Sequence, residues 1–169
     1  MKINLAKLNE GLNELNFQIK PEDLGFDEKE ETLFLFSNDI YADVEVQKFS
    51  DKYFIKVSLL TLAHYTCDRC LDEFDQNLDA KFQLIYSKQT RNRFEDDDYR
   101  FLGENVTEID LSPDIRENIL LVIPMKHLCN EGCMGLCSHC GANLNYETCD
   151  CQQEKIDPRW EILKTIQKN

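Results

Sequence analysis

The sequence is short of basic residues, of glycine and of long apolar runs, and each shortage removes a class of function. Nineteen Lys and Arg stand against 32 Asp and Glu, giving a formal charge of −13 and an isoelectric point near 4.6. Proteins that grip nucleic acid by its phosphates draw most of their affinity from counterion release at a basic face. A field of the opposite sign repels polyanions at long range. Direct, non-specific RNA or DNA binding is therefore disfavoured, with only a small local basic patch left open. Six glycines are scattered along 169 residues, and none falls in a dinucleotide or P-loop pattern. The longest unbroken apolar stretch is Ile119–Ile123, far below the ~20 residues of a membrane span. Met1–Leu5 runs straight into polar sequence without the apolar block of a secretory signal. A cytoplasmic address is expected, with no membrane partner.

Catalytic constellations are also missing. The three histidines, His64, His127 and His139, have no Ser, Cys or acidic partner at a recognisable motif spacing. No catalytic residue is assigned, the protein is expected not to be an enzyme, and no small-molecule substrate is inferred. His64 falls in a strand and reads as structural, whereas His139 lies between two cysteines, beside a ligand set rather than in it.

What is present is enough to fold. Hydrophobic residues make up 42%, with ten Phe and six Tyr, and charged residues 30%, the balance of a soluble folded chain. Glu14–Lys20 alternates polar and apolar at period two, as a half-buried strand does. Pro21–Gly25 reads as a turn or short helical excursion closed by glycine. Ile40, Ala42, Val44 and Val46 line one face of the next strand, and Phe49–Lys52 turns it into the long segment Tyr53–Thr66. Phe74, Leu78, Ala80, Phe82 and Leu84 restore the alternation on the way back, so Cys67–Cys70 lies at a hairpin tip. Residues 87–103, with the acidic run 95–98, read as a solvated loop. Val106–Asp110 suits one more short strand. Ser112-Pro113-Asp114 then predicts a helix with Ser112 as N-cap, Ile115, Ile119, Leu120 and Ile123 as its apolar stripe, and Pro124 as its stop. The predicted class is α+β: a curved antiparallel sheet, a covering helix and a Cys-rich, zinc-stabilised C-terminal segment. Residues 1–127 form the β-rich body, and 128–169 a metal-binding tail packed back on it. Asp157–Leu163 is expected to begin a terminal amphipathic turn that docks Trp160 and Leu163 on the sheet.

The outlying count is cysteine. Cys67, Cys70, Cys129, Cys133, Cys137, Cys140, Cys149 and Cys151 form four close pairs, and none occurs in the first 66 residues. Disulfides need an oxidising compartment, whereas Cys-x-x-Cys and Cys-x-Cys turns place sulfurs on one side, where they suit a metal. Residues 128–151 hold six cysteines and few large apolar side chains, so a metal must supply their folding energy. All eight cysteines are taken as metal ligands for one or two structural zinc ions. The preferred grouping joins Cys67 and Cys70 to Cys129 and Cys133, and Cys137 and Cys140 to Cys149 and Cys151. Each filled site adds two negative charges, which takes −13 to about −17. Cys133, Cys137 and Cys140 also reproduce the spacing of radical S-adenosylmethionine enzymes, but only 29 residues follow Cys140, too few for their barrel. A plain iron–sulfur centre for electron transfer stays open, because spacing discriminates poorly between zinc and iron.

Several segments together resemble one family. They are Cys67-Asp68-Arg69-Cys70-Leu71, the helix running into Pro124, Gly135-Leu136-Cys137-Ser138-His139-Cys140-Gly141-Ala142-Asn143-Leu144-Asn145, Cys149-Asp150-Cys151 and Asp157-Pro158-Arg159-Trp160. In order and spacing they resemble the YceD family, the large ribosomal RNA subunit accumulation proteins, over about residues 40–165. The resemblance implies a bacterial cytoplasmic protein, also found in plastids, needed for normal accumulation of large-subunit ribosomal RNA. It supplies a process rather than a reaction. Combined with the acidic charge, it implies an indirect route through a ribosomal protein or an assembly factor, with 95–98 as a candidate contact. The alternatives are a redox or iron–sulfur electron-transfer protein using the same cysteines, or an RNA-processing factor.

Overall fold

The computed structural model describes residues 1–26, 35–88, 99–103 and 105–151. The expected acidic contact at 95–98 and the expected docking of Trp160 and Leu163 lie outside them. Period-two burial builds the main sheet. Strands β2 (Gly11–Ile19), β4 (Ile40–Phe49), β5 (Lys52–Thr66) and β6 (Glu73–Ser87) pair antiparallel in the order β2-β4-β5-β6. The two-residue β3 (Leu35–Phe36) joins β5 beyond the end of β4, pairing with His64 and Ala63. Ser50 and Asp51 form the β4–β5 turn, with Ser50 in the left-handed region at φ 51°. The strand β1 (Lys2–Asn4) pairs separately with β8 (Glu108–Asp110). Among the described residues the sheet is open and carries one α-helix, α1 (Ser112–Val122), so the class is α+β.

Ile40, Ala42, Val44 and Val46 point inward from β4, as do Ile55, Val57 and Leu59 from β5. Helix α1 closes this core with Ile115 and Ile119, both essentially without solvent contact. Burying side chains of this size is worth roughly 1.5–3 kcal/mol each, and it holds the sheet independently of the cysteines. Pro21–Leu24 is a 3-10 turn that ends at Gly25 in the left-handed region. The Arg116 guanidinium donates to the carbonyls of Leu24 and Gly25 and lies 4.6 Å over the Phe26 ring, binding the turn to the helix.

Three local expectations need correction. The helix N-cap is Leu111 rather than Ser112, and no side chain caps it. The Asp110 carboxylate accepts the Ser112 N–H at 2.9 Å instead, and the Ser112 hydroxyl is taken by the Met1 amino group. Leu120 leaves the apolar stripe and is 44% exposed, because five residues of helix turn it about 140° away from Ile115. Part of the expected loop at 87–103 is a strand: β7 (Tyr99–Phe101) pairs parallel to the end of β6. Arg100 on β7 forms a two-pronged ion pair with Asp114 in the first turn of α1, one prong at 2.9 Å. An ion pair, not apolar periodicity, therefore fixes this edge strand. Among the described residues no helix is long and apolar enough to cross a membrane.

Candidate metal centres

The alternation that fills the core also delivers the first centre. Every second side chain of β5 from Tyr53 to Tyr65 is buried, and the next position in the series is Cys67, with no exposed surface. Thr66 still pairs with Glu73, so residues 67–72 close the hairpin. In that turn the Cys67 N–H donates to the Asp72 carbonyl at 2.8 Å, and the Leu71 N–H to the Cys67 carbonyl at 3.0 Å. Cys70 thus folds back beside Cys67. The chain leaving α1 returns to the same tip. The N–H groups of Asp68 and His127 donate at 2.8 Å to the His127 carbonyl and the Asp68 carboxylate respectively. The His127 ring stacks on Tyr65 at 4.4 Å. Farther on, the Leu136 N–H donates to the Arg69 carbonyl at 3.1 Å, and Arg69 Nη1 donates to the Cys133 carbonyl at 2.8 Å.

These contacts bring Cys129 and Cys133 onto the knuckle. Cys67 Sγ lies 3.8 Å from Cys133 Sγ, and Cys70 Sγ 3.5 Å from Cys129 Sγ. All four sulfurs are within 4.8 Å of one another. A tetrahedral ion with metal–sulfur bonds of ~2.3 Å has sulfur–sulfur edges of about 3.8 Å, so the spacing suits one ion. The eight cysteines are free thiols, which leaves no disulfide framework.

The second centre repeats the first knuckle's bonding. The Cys137 N–H donates to the Ala142 carbonyl at 2.8 Å, and the Gly141 N–H to the Cys137 carbonyl at 2.9 Å, matching Cys67 to Asp72 and Leu71 to Cys67. Cys149 and Cys151 return to it, and these four sulfurs also lie within 4.8 Å of one another. Each group can hold a metal ion, and the grouping is the one the pair spacing suggests. Cys133 belongs to one centre and Cys137 with Cys140 to the other, so the three-cysteine spacing is not used as a unit.

All but the first three residues of the long hairpin, the helix and both centres lie inside a single sequence match. The large ribosomal RNA subunit accumulation protein YceD family matches residues 55–167. The chain belongs to the YceD family. It is 40% identical over 63 residues to the chloroplastic large ribosomal RNA subunit accumulation protein YCED homolog 1 of Arabidopsis thaliana, covering 37% of this chain and 20% of that protein. The Zea mays protein of the same name is 46% identical over 50 residues, covering 29% of this chain and 17% of the relative. An uncharacterized protein of Mycobacterium bovis is 27% identical over 122 residues, covering 72% of this chain and 58% of its own length. The chain thus spans a fifth or less of the plastid relatives and little more than half of the mycobacterial one. No solved structure matches it.

In this YceD-family chain the two knuckles prepare one thiolate each. Burial works against a charged Cys67, but the backbone N–H groups of Cys129, Cys70 and Arg69 outweigh it and bring the thiol down to about 6. The N–H groups of Cys140 and His139 bring Cys137 down to about 6 as well. Neighbouring sulfurs go the other way. Burial, above all, drives Cys70 upward, and contact with Cys140 helps push Cys151 up to about 12. Four thiolates this close repel one another, and a bound cation reverses that balance.

The supporting polar residues escaped the sequence reading. Asn145 Nδ2 donates to Cys133 Sγ at 3.3 Å, and its Oδ1 accepts the Met134 N–H at 2.8 Å. Asn143 Nδ2 donates to the Asp72 carboxylate at 3.0 Å, which in turn accepts from Cys70 Sγ at 3.3 Å. Such contacts orient ligands and tune their basicity. Cysteine spacing carries no trace of them, although both asparagines sit inside the motif that marks the family. His64 stands apart from both centres, 2.9 Å from Asp75 and 3.7 Å from Glu73. Arg69 shapes the first knuckle by joining its tip to the Cys133 and Leu136 backbone.

Proposed function

We propose that this protein is a non-enzymatic, zinc-binding cytoplasmic factor for large-subunit ribosomal RNA accumulation that works as an assembly adaptor through a protein partner. The observation that carries this reading is a pair of four-thiol centres in a chain of the family named for that process. Sulfurs within 4.8 Å of one another suit a single tetrahedral ion. A multi-iron cluster interposes bridging sulfides and would spread its cysteines farther apart, so the geometry favours zinc. Four sulfurs around one ion leave no open position for substrate, which makes the role structural. The charge of −13 favours a basic ribosomal protein or assembly factor as partner over RNA itself.

Two measurements test this. Elemental analysis of the purified, colourless chain should give two zinc ions per molecule, and a brown protein containing iron would replace the zinc reading. In a binding screen at physiological salt the chain should retain basic ribosomal proteins or assembly factors. Displacement of those proteins by naked ribosomal RNA would instead make it an RNA binder.

A further inference from the structure

The two centres are bonded alike and shielded unlike. In the first, Cys129 is exposed, whereas Cys67, Cys70 and Cys133 are at most 3% exposed and form a buried cluster walled by Phe74, Leu128 and Leu136. Asn145 adds an N–H donor to the Cys133 sulfur. In the second, Cys140 and Cys151 are exposed and Cys137 and Cys149 only partly covered. Among the described residues these four cysteines join none of the buried clusters. Oxidation follows thiolate character and solvent access together. Ligand thiols are deprotonated in both centres when a cation is bound, so access separates them: the first centre exposes one sulfur, Cys129, among buried neighbours, and the second exposes two, Cys140 and Cys151, with none of its four buried.

We propose that the second centre is a hydroperoxide-sensitive site, in which Cys140 and Cys151 oxidise to a disulfide while the first centre stays intact. This rests on the reading that both centres hold zinc. The thiolate of Cys140 attacks one oxygen of the peroxide. An S–O bond forms, the O–O bond breaks, and the other oxygen leaves as hydroxide or alkoxide and is protonated by water. The product is a sulfenic acid. The Cys151 thiolate then attacks that sulfur, the S–S bond forms, and hydroxide leaves. Two electrons have passed from two sulfurs to one peroxide, and nothing else is consumed. The sulfurs start within 4.8 Å of each other and close to about 2.05 Å, a movement within reach of a segment lying outside the buried core. Cys137 and Cys149 alone cannot complete a four-sulfur shell, so the ion is lost from this centre.

The test uses the full chain loaded with zinc. Zinc is counted before and after one equivalent of hydrogen peroxide with a chromogenic chelator, and the free thiols are then alkylated and mapped by mass spectrometry. The expected result is a fall from two zinc ions to one, with a disulfide joining Cys140 and Cys151. Thiols 67, 70, 129 and 133 should stay unoxidised, and a reducing thiol plus zinc should restore the second ion. Equal loss from both centres, oxidation mapped to the first, a disulfide between any other pair, or resistance of both ions to peroxide would each overturn the inference. The wild-type chain carries this test, so it does not depend on a variant that fails to fold. A chain with no zinc before peroxide overturns the zinc reading as well, whereas two peroxide-resistant ions overturn only this inference.

Discussion

Leu71 occupies a backbone position that suits glycine. It follows the second cysteine of the first knuckle at φ 63°, where Gly141 follows the second knuckle at φ 76°. The left-handed region costs a residue with a β-carbon roughly 1–2 kcal/mol, and the Leu71 side chain is 63% exposed, so little packing offsets the strain. Leu71→Gly should therefore raise unfolding stability by about 1 kcal/mol, read from a urea titration. A loss of stability would show that the leucine makes contacts stronger than its strain. Gly135 gives the opposite case. It lies at φ 76°, and an added β-carbon would stand 3.0 Å from the Arg69 carbonyl oxygen. Gly135→Ala should cost about 2 kcal/mol and loosen Cys133, which would show as a weaker hold on the first ion in a competition with a chelator. Neither position announces itself. The cysteines are legible because their chemistry is in the letter and their spacing fixes the turn. Leu71 reads as an ordinary apolar residue, because its conformation is imposed by the hydrogen bonds of the knuckle.

At the scale of elements, strands declare themselves when one face is buried. The inward series on β4 and β5 ran at period two, and the sheet followed it into Cys67. The end of α1 at Val122 was equally legible, since Pro124 cannot continue a helix. Its start was not, because two acceptors competed for the first turn and the Asp110 carboxylate took the Ser112 N–H. The parallel strand β7 was invisible for a different reason: three residues in a charged stretch carry no period, and an ion pair between distant segments holds them. Arg100→Ala removes the cation from Asp114, whose carboxylate is 4% exposed. Breaking a buried pair costs ~3–5 kcal/mol, but Arg100 is 40% exposed, and solvent screening reduces the expected cost to about 1–3 kcal/mol. Amide exchange should rise at residues 85–87 and 99–101 while the β4–β5 pairing stays protected. Uniform loss of protection across the sheet would mean the pair supports the whole core.

For the whole molecule, acid and chelation probe different halves of the stability. Asp75 is held below its ordinary 3.8 by hydrogen bonds from His64 and then Ser37, and Asp110 by hydrogen bonds from Ser112, the backbone N–H first. A carboxyl with a lowered folded value binds its proton more readily when unfolded. Its contribution is complete above the unfolded value and disappears as pH falls through the folded one. The sheet should hold its unfolding midpoint down to about pH 4 and lose it below, whereas Asp75→Asn and Asp110→Asn together should flatten that acid limb.

Chelation acts elsewhere, and the separation follows from where apolar area is buried. Among the described residues the main core runs from Ile3 to Ile119 and contains no cysteine, while the cysteine cluster has only Phe74, Leu128 and Leu136 packed against it. Removing the ions leaves four thiols in each centre that cannot ionise together, and a segment too poor in apolar surface to stay ordered alone. A strong chelator should therefore leave the β-sheet circular dichroism signal and its thermal transition in place. Amide protection should vanish at 67–72 and 129–151 and return when zinc is added back. Protection that survives complete metal removal in those residues would mean the knuckles are held by their own hydrogen bonds. Collapse of the whole sheet would mean the first centre is part of the core that folds the rest.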